Sequence, residues 1–154
     1  MKSKIHKFNP KNIHIMSKNL ILTITLVFCS LFSFSQDTGI TITVTIDNIK
    51  NENGKVSFAL HTKDTFMKGQ GVMTAESKIK DGKVKITFEK VKPGDYAIMA
   101  LHDENENNRM DFRDNGMPLE AYGMSKNVMS FGPPQYGDAN FKVTDKNLEF
   151  DIRF

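Results

Sequence analysis

One polar stretch, residues 102–114, combines residue types and a spacing that suit a hard cation. It reads His-Asp-Glu-Asn-Glu-Asn-Asn-Arg-Met-Asp-Phe-Arg-Asp. In a twelve-residue calcium loop, side-chain oxygens lie at positions 1, 3, 5, 9 and 12, and a backbone carbonyl lies at position 7. Since a tightly wound loop turns alternate side chains toward one centre, this spacing predicts a Ca²⁺ site. Counting from Asp103, the candidate ligands are Asp103, Asn105, Asn107, the carbonyl of Arg109, Asp111 and Asp114.

The stretch departs from the calcium pattern at two positions. Position 6, usually glycine, is Asn108, the next best residue for a left-handed backbone. Position 12 is Asp114, which is shorter than the usual glutamate and predicts weaker binding. No flanking helices are apparent, so the prediction is a calcium-type loop between strands and not an EF-hand. The alternative is a polar connection at a sheet edge, where Asp and Asn cap turns.

Other residues suggest different chemistry with less support. His61 and His102 are candidate transition-metal ligands, and a Met/His copper site is an alternative, although methionines more often fill cores. The serines match no hydrolase motif. The remaining candidates are an acid set for a hydrolase or carbohydrate-active enzyme, Asp103, Asp111 or Glu120, and an aromatic set for sugar binding or packing, Tyr96, Tyr122, Phe131 and Tyr136.

The first 35 residues have the composition of a secretory signal. They contain five lysines and no acidic residue, followed by an apolar run. Small residues end this segment at Ser35 and predict cleavage before Gln36. Residues 1–15 are a candidate upstream extension, because a normal signal would begin at Met16. The apolar run is shorter than the roughly 20 residues of a membrane-spanning helix, so we expect no span after cleavage.

Removal of the signal changes the charge and the thiol content of the chain. The whole chain has a net charge of +3, and loss of the five signal lysines leaves −2 on residues 36–154. A slightly acidic domain gives no support for nucleic-acid binding. The only cysteine, Cys29, would be lost as well, which excludes disulfides and thiol catalysis. We expect a single exported domain, which is periplasmic, outer-surface or secreted.

Short alternating segments separated by turns predict an all-β fold. Alternation at residues 40–46 places Ile40, Ile42, Val44 and Ile46 on one face of a strand. About seven such strands favour an antiparallel β-sandwich, immunoglobulin-like or transthyretin-like. The predicted strands are 40–46, 55–60, 72–79, 83–88, 95–102, 139–143 and 148–154.

Turn residues suggest how these strands pair. Asn51–Gly54 predicts a hairpin between the first two strands, because Asn-Gly tolerates positive φ. Asp81-Gly82 predicts a second hairpin. The apolar strand 95–102 is expected to be central, and the last two strands are expected to pair around residues 145–147.

Several motifs along the chain together resemble a known family. They look like those of exported bacterial proteins catalogued as domain of unknown function 2141, whose members read His-Asp-Glu-Asn-x-Asn-Gly-Lys-x-Asp; here Asn108 replaces Gly and Arg109 replaces Lys. The resemblance implies an exported β-sandwich without an assigned activity, in which the Asp103 loop and the Gly116–Gly123 segment lie together. The cleavage site resembles signals common in the Bacteroidetes. The motifs are Pro93–Ile98, His102–Asn108, Gly116–Gly123, Ser125–Asn127, Gly132–Pro134 and Asp138–Phe141.

Three functions remain open from the sequence. The first is a non-enzymatic exported module that binds Ca²⁺ through residues 103–114 and recognises a protein or glycan partner at the cell envelope. The second is a small hydrolase or carbohydrate-active enzyme that uses the loop carboxylates. The third is a structural accessory domain without a ligand.

Overall fold

The computed structural model describes residues 39–128 and 132–154. The predicted signal, its cleavage site and Cys29 lie outside the described residues. The described part contains eight strands, a 3₁₀ turn (Ser125–Asn127) and one short helix, α1 (Tyr136–Ala139). The strands are β1 (Ile40–Ile46), β2 (Lys55–His61), β3 (Met73–Ser77), β4 (Val84–Val91), β5 (Gly94–Asp103), β6 (Tyr122–Met124), β7 (Phe141–Val143) and β8 (Leu148–Asp151).

The strands form two sheets that pack face to face. The first sheet has the order β4-β1-β8, and the second has the order β3-β2-β5-β6, with β7 also paired to β5. All pairs are antiparallel except β1 with β8, which is parallel. This arrangement confirms the predicted all-β sandwich and the central position of the strand that begins near Asp95.

Alternation of apolar residues determines which face of each strand is buried. In β1 the predicted residues Ile40, Ile42, Val44 and Ile46 are all buried, and the threonines between them are half-buried on the outer face. In β2 the side chains of Val56, Phe58 and Leu60 point into the same core. The core between the sheets is therefore built by the period-2 pattern that the sequence displays.

The predicted pairing of neighbouring strands is wrong in three places: β1 with β2, β3 with β4, and β7 with β8. The strands β1 and β2 belong to different sheets, so residues 47–54 connect the sheets and form no hairpin. The last two strands also do not pair with each other: β7 pairs with β5, and β8 pairs with β1. Alternation specifies the buried face of a strand but not its partner, and here the partners come from distant parts of the chain.

The two predicted turns are nevertheless used. The Asp81-Gly82 turn is closed by two hydrogen bonds between Lys80 and Lys83, although β3 and β4 on either side lie in different sheets. The Asn53-Gly54 turn packs against the end of β5. A Cβ atom on Gly54 would lie 2.0 Å from the carbonyl oxygen of Asp103, so only glycine fits this approach.

Strand β6 was not predicted from the sequence. It has three residues and pairs with Met99–Leu101 at the edge of the second sheet. Its central residue is Gly123, where a Cβ atom would lie 2.5 Å from the carbonyl oxygen of Arg153. This close contact brings the C-terminal segment against β6. Among the described helices, none has the length and apolar character needed to cross a membrane.

Candidate functional site

Asp103, the last residue of β5, organises the loop that follows it. Its side chain is completely buried, and its two carboxylate oxygens accept hydrogen bonds from two successive backbone N–H groups. Asn107 N donates to Oδ1 at 3.0 Å, and Asn108 N donates to Oδ2 at 2.8 Å. Asn108 has a φ of 63°, so it adopts the left-handed conformation predicted for position 6. The carboxylate thus fixes the sharp turn that the calcium-loop pattern requires.

Two asparagines continue the turn and meet Asp111. The Oδ1 of Asn105 accepts from Asn107 N at 3.1 Å, and the Oδ1 of Asn107 accepts from Arg109 N at 3.0 Å. Both amide nitrogens donate to Oδ2 of Asp111, at 2.7 and 2.8 Å. Hydrogen bonds therefore link Asp103, Asn105, Asn107 and Asp111, which are four of the predicted ligands.

Asp114 does not join this group. Residues 111–119, here called the arm, form a small hairpin in which Phe112 is paired with Pro118. Leu119 N donates to Asp111 O and Arg113 N donates to Met117 O, each at 2.8 Å. Asp114 is exposed in the turn of the arm, three residues beyond Asp111, and no hydrogen bond within the described residues links it to the other predicted ligands. The predicted twelve-residue loop is thus divided at Asp111.

Glu120 closes the loop from behind. It is buried, and its oxygens accept hydrogen bonds from Glu104 N at 3.0 Å and Asp111 N at 3.2 Å. One carboxylate therefore holds both ends of the loop. From the sequence, Glu120 is only a candidate enzymatic acid, because its spacing from Glu104 and Asp111 does not show that the chain returns to them. The expectation that the Asp103 loop and the Gly116–Gly123 segment lie together is confirmed, because Glu120 joins them.

Two lysines attach the loop to the second sheet. Lys55 Nζ donates to Asn108 Oδ1 at 2.7 Å and to Glu76 Oε2 at 2.9 Å, and Lys78 pairs with Glu106. The hydrogen bond to Glu76 raises the pKa of Lys55, and the nearby negative charges act in the same direction. Lys55 is mostly buried, so a fixed positive charge already lies beside the loop.

The four hydrogen-bonded residues of the loop carry two amides and two carboxylates. Among residues 39–128 and 132–154, no group of three or more His, Cys, Asp or Glu side chains is arranged to hold a metal. A cation would therefore need the amide oxygens of Asn105 and Asn107 as well as the carboxylates of Asp103 and Asp111. Those amides now direct their N–H groups at Asp111, so cation binding would replace two hydrogen bonds.

The two histidines do not approach each other. His61 pairs with Ala97 and His102 pairs with Val56, which separates them by five residues along the strands, about 17 Å. His102 Nε2 donates to Asn53 O at 2.9 Å, and its ring stacks on Phe154. His61 Nδ1 lies 3.3 Å from Thr65 Oγ1, and burial lowers its pKa.

Other candidates from the sequence have packing roles. Tyr136 contacts Phe66 edge to face, with ring centroids 5.7 Å apart, and Tyr96 packs against the main core. Tyr122 is half-buried at the sheet edge. Ser125 is buried, accepting from Ile98 N of β5 and donating to Ala139 O of α1, so its hydroxyl links the strand to the helix. Phe131, the remaining member of the aromatic set, lies outside the described residues, as does Ser130.

Comparison with known proteins places this β-sandwich in a bacterial class without an assigned activity. The chain belongs to the family of domain of unknown function 2141 (DUF2141), described as an uncharacterized protein conserved in bacteria, whose family model matches residues 44–151. The match extends from β1 into β8 and includes the loop and the arm. Searches of curated proteins and of solved structures gave no match.

Proposed function

We propose that this protein is an exported, non-enzymatic β-sandwich module whose acidic loop (residues 103–111) binds Ca²⁺ and which recognises a protein or glycan partner at the cell envelope. One observation carries the metal proposal: Asp103, Asn105, Asn107 and Asp111, at positions 1, 3, 5 and 9 of the calcium-loop spacing, are joined by hydrogen bonds into one group. Their hard oxygens are the ligand type that Ca²⁺ prefers.

The affinity should be low. Without a cation, the loop already satisfies its own backbone N–H groups through side chains, and Lys55 offsets part of its negative charge. A cation must break the amide contacts to Asp111 before it gains its ligands. Binding in the 10⁻⁴–10⁻³ M range, typical of extracellular modules, is therefore expected.

The state of the carboxylates supports a non-enzymatic role. A glycosidase-type site needs two carboxylates that face each other across a substrate cleft. Here both oxygens of Asp103 and both oxygens of Glu120 accept backbone N–H groups, so these acids hold the loop together. Of the three acids considered for catalysis, only Asp111 has a carboxylate that faces other side chains.

Thermal unfolding with and without Ca²⁺ tests the proposal. Calcium at 100 times its Kd should stabilise the protein by about 2.7 kcal/mol, and chelator should reverse the shift. Asp111→Ala should abolish the shift, whereas Asp145→Ala in a distant turn should leave it unchanged. A melting temperature that does not respond to 10 mM Ca²⁺, about ten times the weakest Kd expected, would overturn calcium binding.

Asn107→Asp provides a sharper variant of the same test. The substitution replaces an amide that donates to Asp111 with a carboxylate that repels it. Without a cation the variant should be less stable than the native protein, and Ca²⁺ should restore its stability because it bridges the two carboxylates. Calorimetric titration should then give a lower Kd than for the native protein. A variant that is destabilised equally with and without Ca²⁺ would contradict the proposed ligand set.

A further inference from the structure

The side chain of Asn127 occupies an unusual position beside the last strand. Its Nδ2 donates to Asp151 O at 2.7 Å, and its Oδ1 accepts from Arg153 N at 2.9 Å. These two backbone groups flank Ile152, whose own N–H donates to Thr45 O of β1 at 2.9 Å. The C-terminal segment is therefore hydrogen-bonded to β1 on one side and to an asparagine amide on the other.

The amide imitates a peptide group of a neighbouring strand. In a parallel ladder, one residue bonds to the carbonyl and the N–H that lie on either side of its partner residue. Asp151 O and Arg153 N are such a pair, and they face away from β1. The Asn127 amide supplies the matching donor and acceptor, so it fills the place of an additional strand at this edge.

The backbone around Asn127 is held in a strained conformation. Lys126 and Asn127 have φ values of 69° and 52°, in the left-handed region that non-glycine residues rarely adopt. Such strain persists only where the surrounding contacts fix it. The paired hydrogen bonds to the C-terminal segment are such contacts.

We infer that Asn127 blocks the edge of the first sheet against strand addition by a second copy of this chain. Among the strands of residues 39–128 and 132–154, β8 is the edge of the β4-β1-β8 sheet, and outward N–H and C=O groups of an edge strand are a template for pairing. Asn127 follows β6, the edge strand of the other sheet. Its amide therefore connects the edge of the second sheet to the C-terminal end of β8 in the first. The exposed acids Glu149 and Asp151 assist by charge repulsion between copies.

Asn127→Gly is the variant that tests this inference, because glycine relieves the backbone strain and removes only the amide. Lys126→Gly is the matched control, since it relieves the same strain one residue earlier and removes a side chain that contacts Asn140 instead of the edge. Hydrogen exchange at the Arg153 amide should become at least about tenfold faster in N127G and remain unchanged in K126G. Exchange at Thr43 and Thr87, in the β1–β4 pair, reports that the sandwich is intact.

Self-association is the second readout. In 0.5 M salt, the repulsion between the acidic residues Glu149 and Asp151 of two copies is screened. Under these conditions N127G should form a dimer of twice the native mass, and K126G should keep the mass of the native protein. Asn127→Ser, whose hydroxyl reaches one backbone group at a time, should lie between them and replaces N127G if that variant does not fold. Unchanged Arg153 exchange in N127G overturns the inference. Faster exchange with no association overturns the blocking role as well.

Discussion

The acidic loop and the arm adjoin each other in the chain but are stabilised in opposite ways. Around residues 103–110, side chains satisfy the backbone: Asp103, Asn105, Asn107 and Glu120 together accept six hydrogen bonds from five backbone N–H groups. In residues 111–119, the backbone pairs with itself as a hairpin, while Phe112, Met117 and Leu119 remain 59%, 59% and 54% exposed. The loop therefore depends mainly on particular side chains, whereas the arm is held mainly by its own backbone, with side-chain acceptors only for Asp111 N and Met117 N among the described contacts.

This difference locates the sensitive positions of the segment. Removing a buried carboxylate takes an acceptor away from each N–H group bonded to it, and each buried group left unsatisfied costs about 1–3 kcal/mol. A hairpin held by backbone hydrogen bonds keeps them when its exposed side chains are changed. Substitutions in the loop should therefore destabilise the domain, and similar substitutions in the arm should not.

The largest effect is expected for Asp103→Ala. It removes the completely buried carboxylate, takes away the acceptor of Asn108 N, and leaves Asn107 N only its longer hydrogen bond to Asn105 Oδ1. The free energy of unfolding should fall by roughly 3 kcal/mol, measured by urea denaturation. Asp114→Ala in the turn of the arm is the matched control and should change stability by less than about 0.5 kcal/mol. Equal losses in the two variants would contradict the division of the segment at Asp111.

A smaller loss is expected for Glu120→Gln. Glutamine has one side-chain oxygen, so it can accept from Glu104 N or from Asp111 N but meets the other with its amide N–H groups. Unfolding free energy should fall by about 1–2 kcal/mol. Hydrogen exchange should accelerate at one end of the loop only. The isosteric control Glu89→Gln, on the exposed face of β4, should have no measurable effect.

The sequence predicts the contacts within residues 103–111 of this site but not the contacts that depend on the rest of the fold. The spacing of Asp103, Asn105, Asn107 and Asp111 reports how a chain folds back within a few residues, and the structure brings these four together. The role of Glu120 depends on the arm returning to the loop, and spacing cannot reveal that. The calcium pattern spans twelve residues and so predicts Asp114 as a ligand, whereas the pairing of Phe112 with Pro118 places Asp114 in the turn of the arm.

The same limit applies to the strands. Alternation in β1 correctly predicts its buried face, because a strand side chain has only two directions to point. It does not predict that β1 pairs with β4 and β8, because strand pairing depends on how all the strands of the sandwich pack together. The three-residue strand β6 has too few residues to show a pattern. Its position depends on Gly123 fitting against Arg153.

Changing the apolar residues of the arm tests the other half of the comparison. The triple variant Phe112→Ser, Met117→Ser and Leu119→Ser removes exposed surface and leaves the arm's backbone hydrogen bonds in place. Unfolding free energy should change by less than about 1 kcal/mol in total. The contrasting control is Phe66→Ser, which removes a buried ring and should lower the free energy of unfolding by about 3 kcal/mol. A large loss in the triple variant would mean that the arm packs on the domain.

The smallest effect is expected at the surface pair Lys78–Glu106, which attaches the loop through exposed side chains. The hydrogen bond from Lys78, and then its charge, lower the pKa of Glu106. Because the folded pKa is below the unfolded one, the pair stabilises the protein above the unfolded pKa of about 4.3, and this contribution is lost as the pH falls through the folded value. In Lys78→Met, the pKa of Glu106, followed by NMR titration, should rise toward its ordinary value. Salt at 1 M should produce much of the same rise in the native protein, because exposed charges are screened. If K78M instead destabilised the domain as much as E120Q does, the loop would depend on its surface contacts as well as on its buried carboxylates.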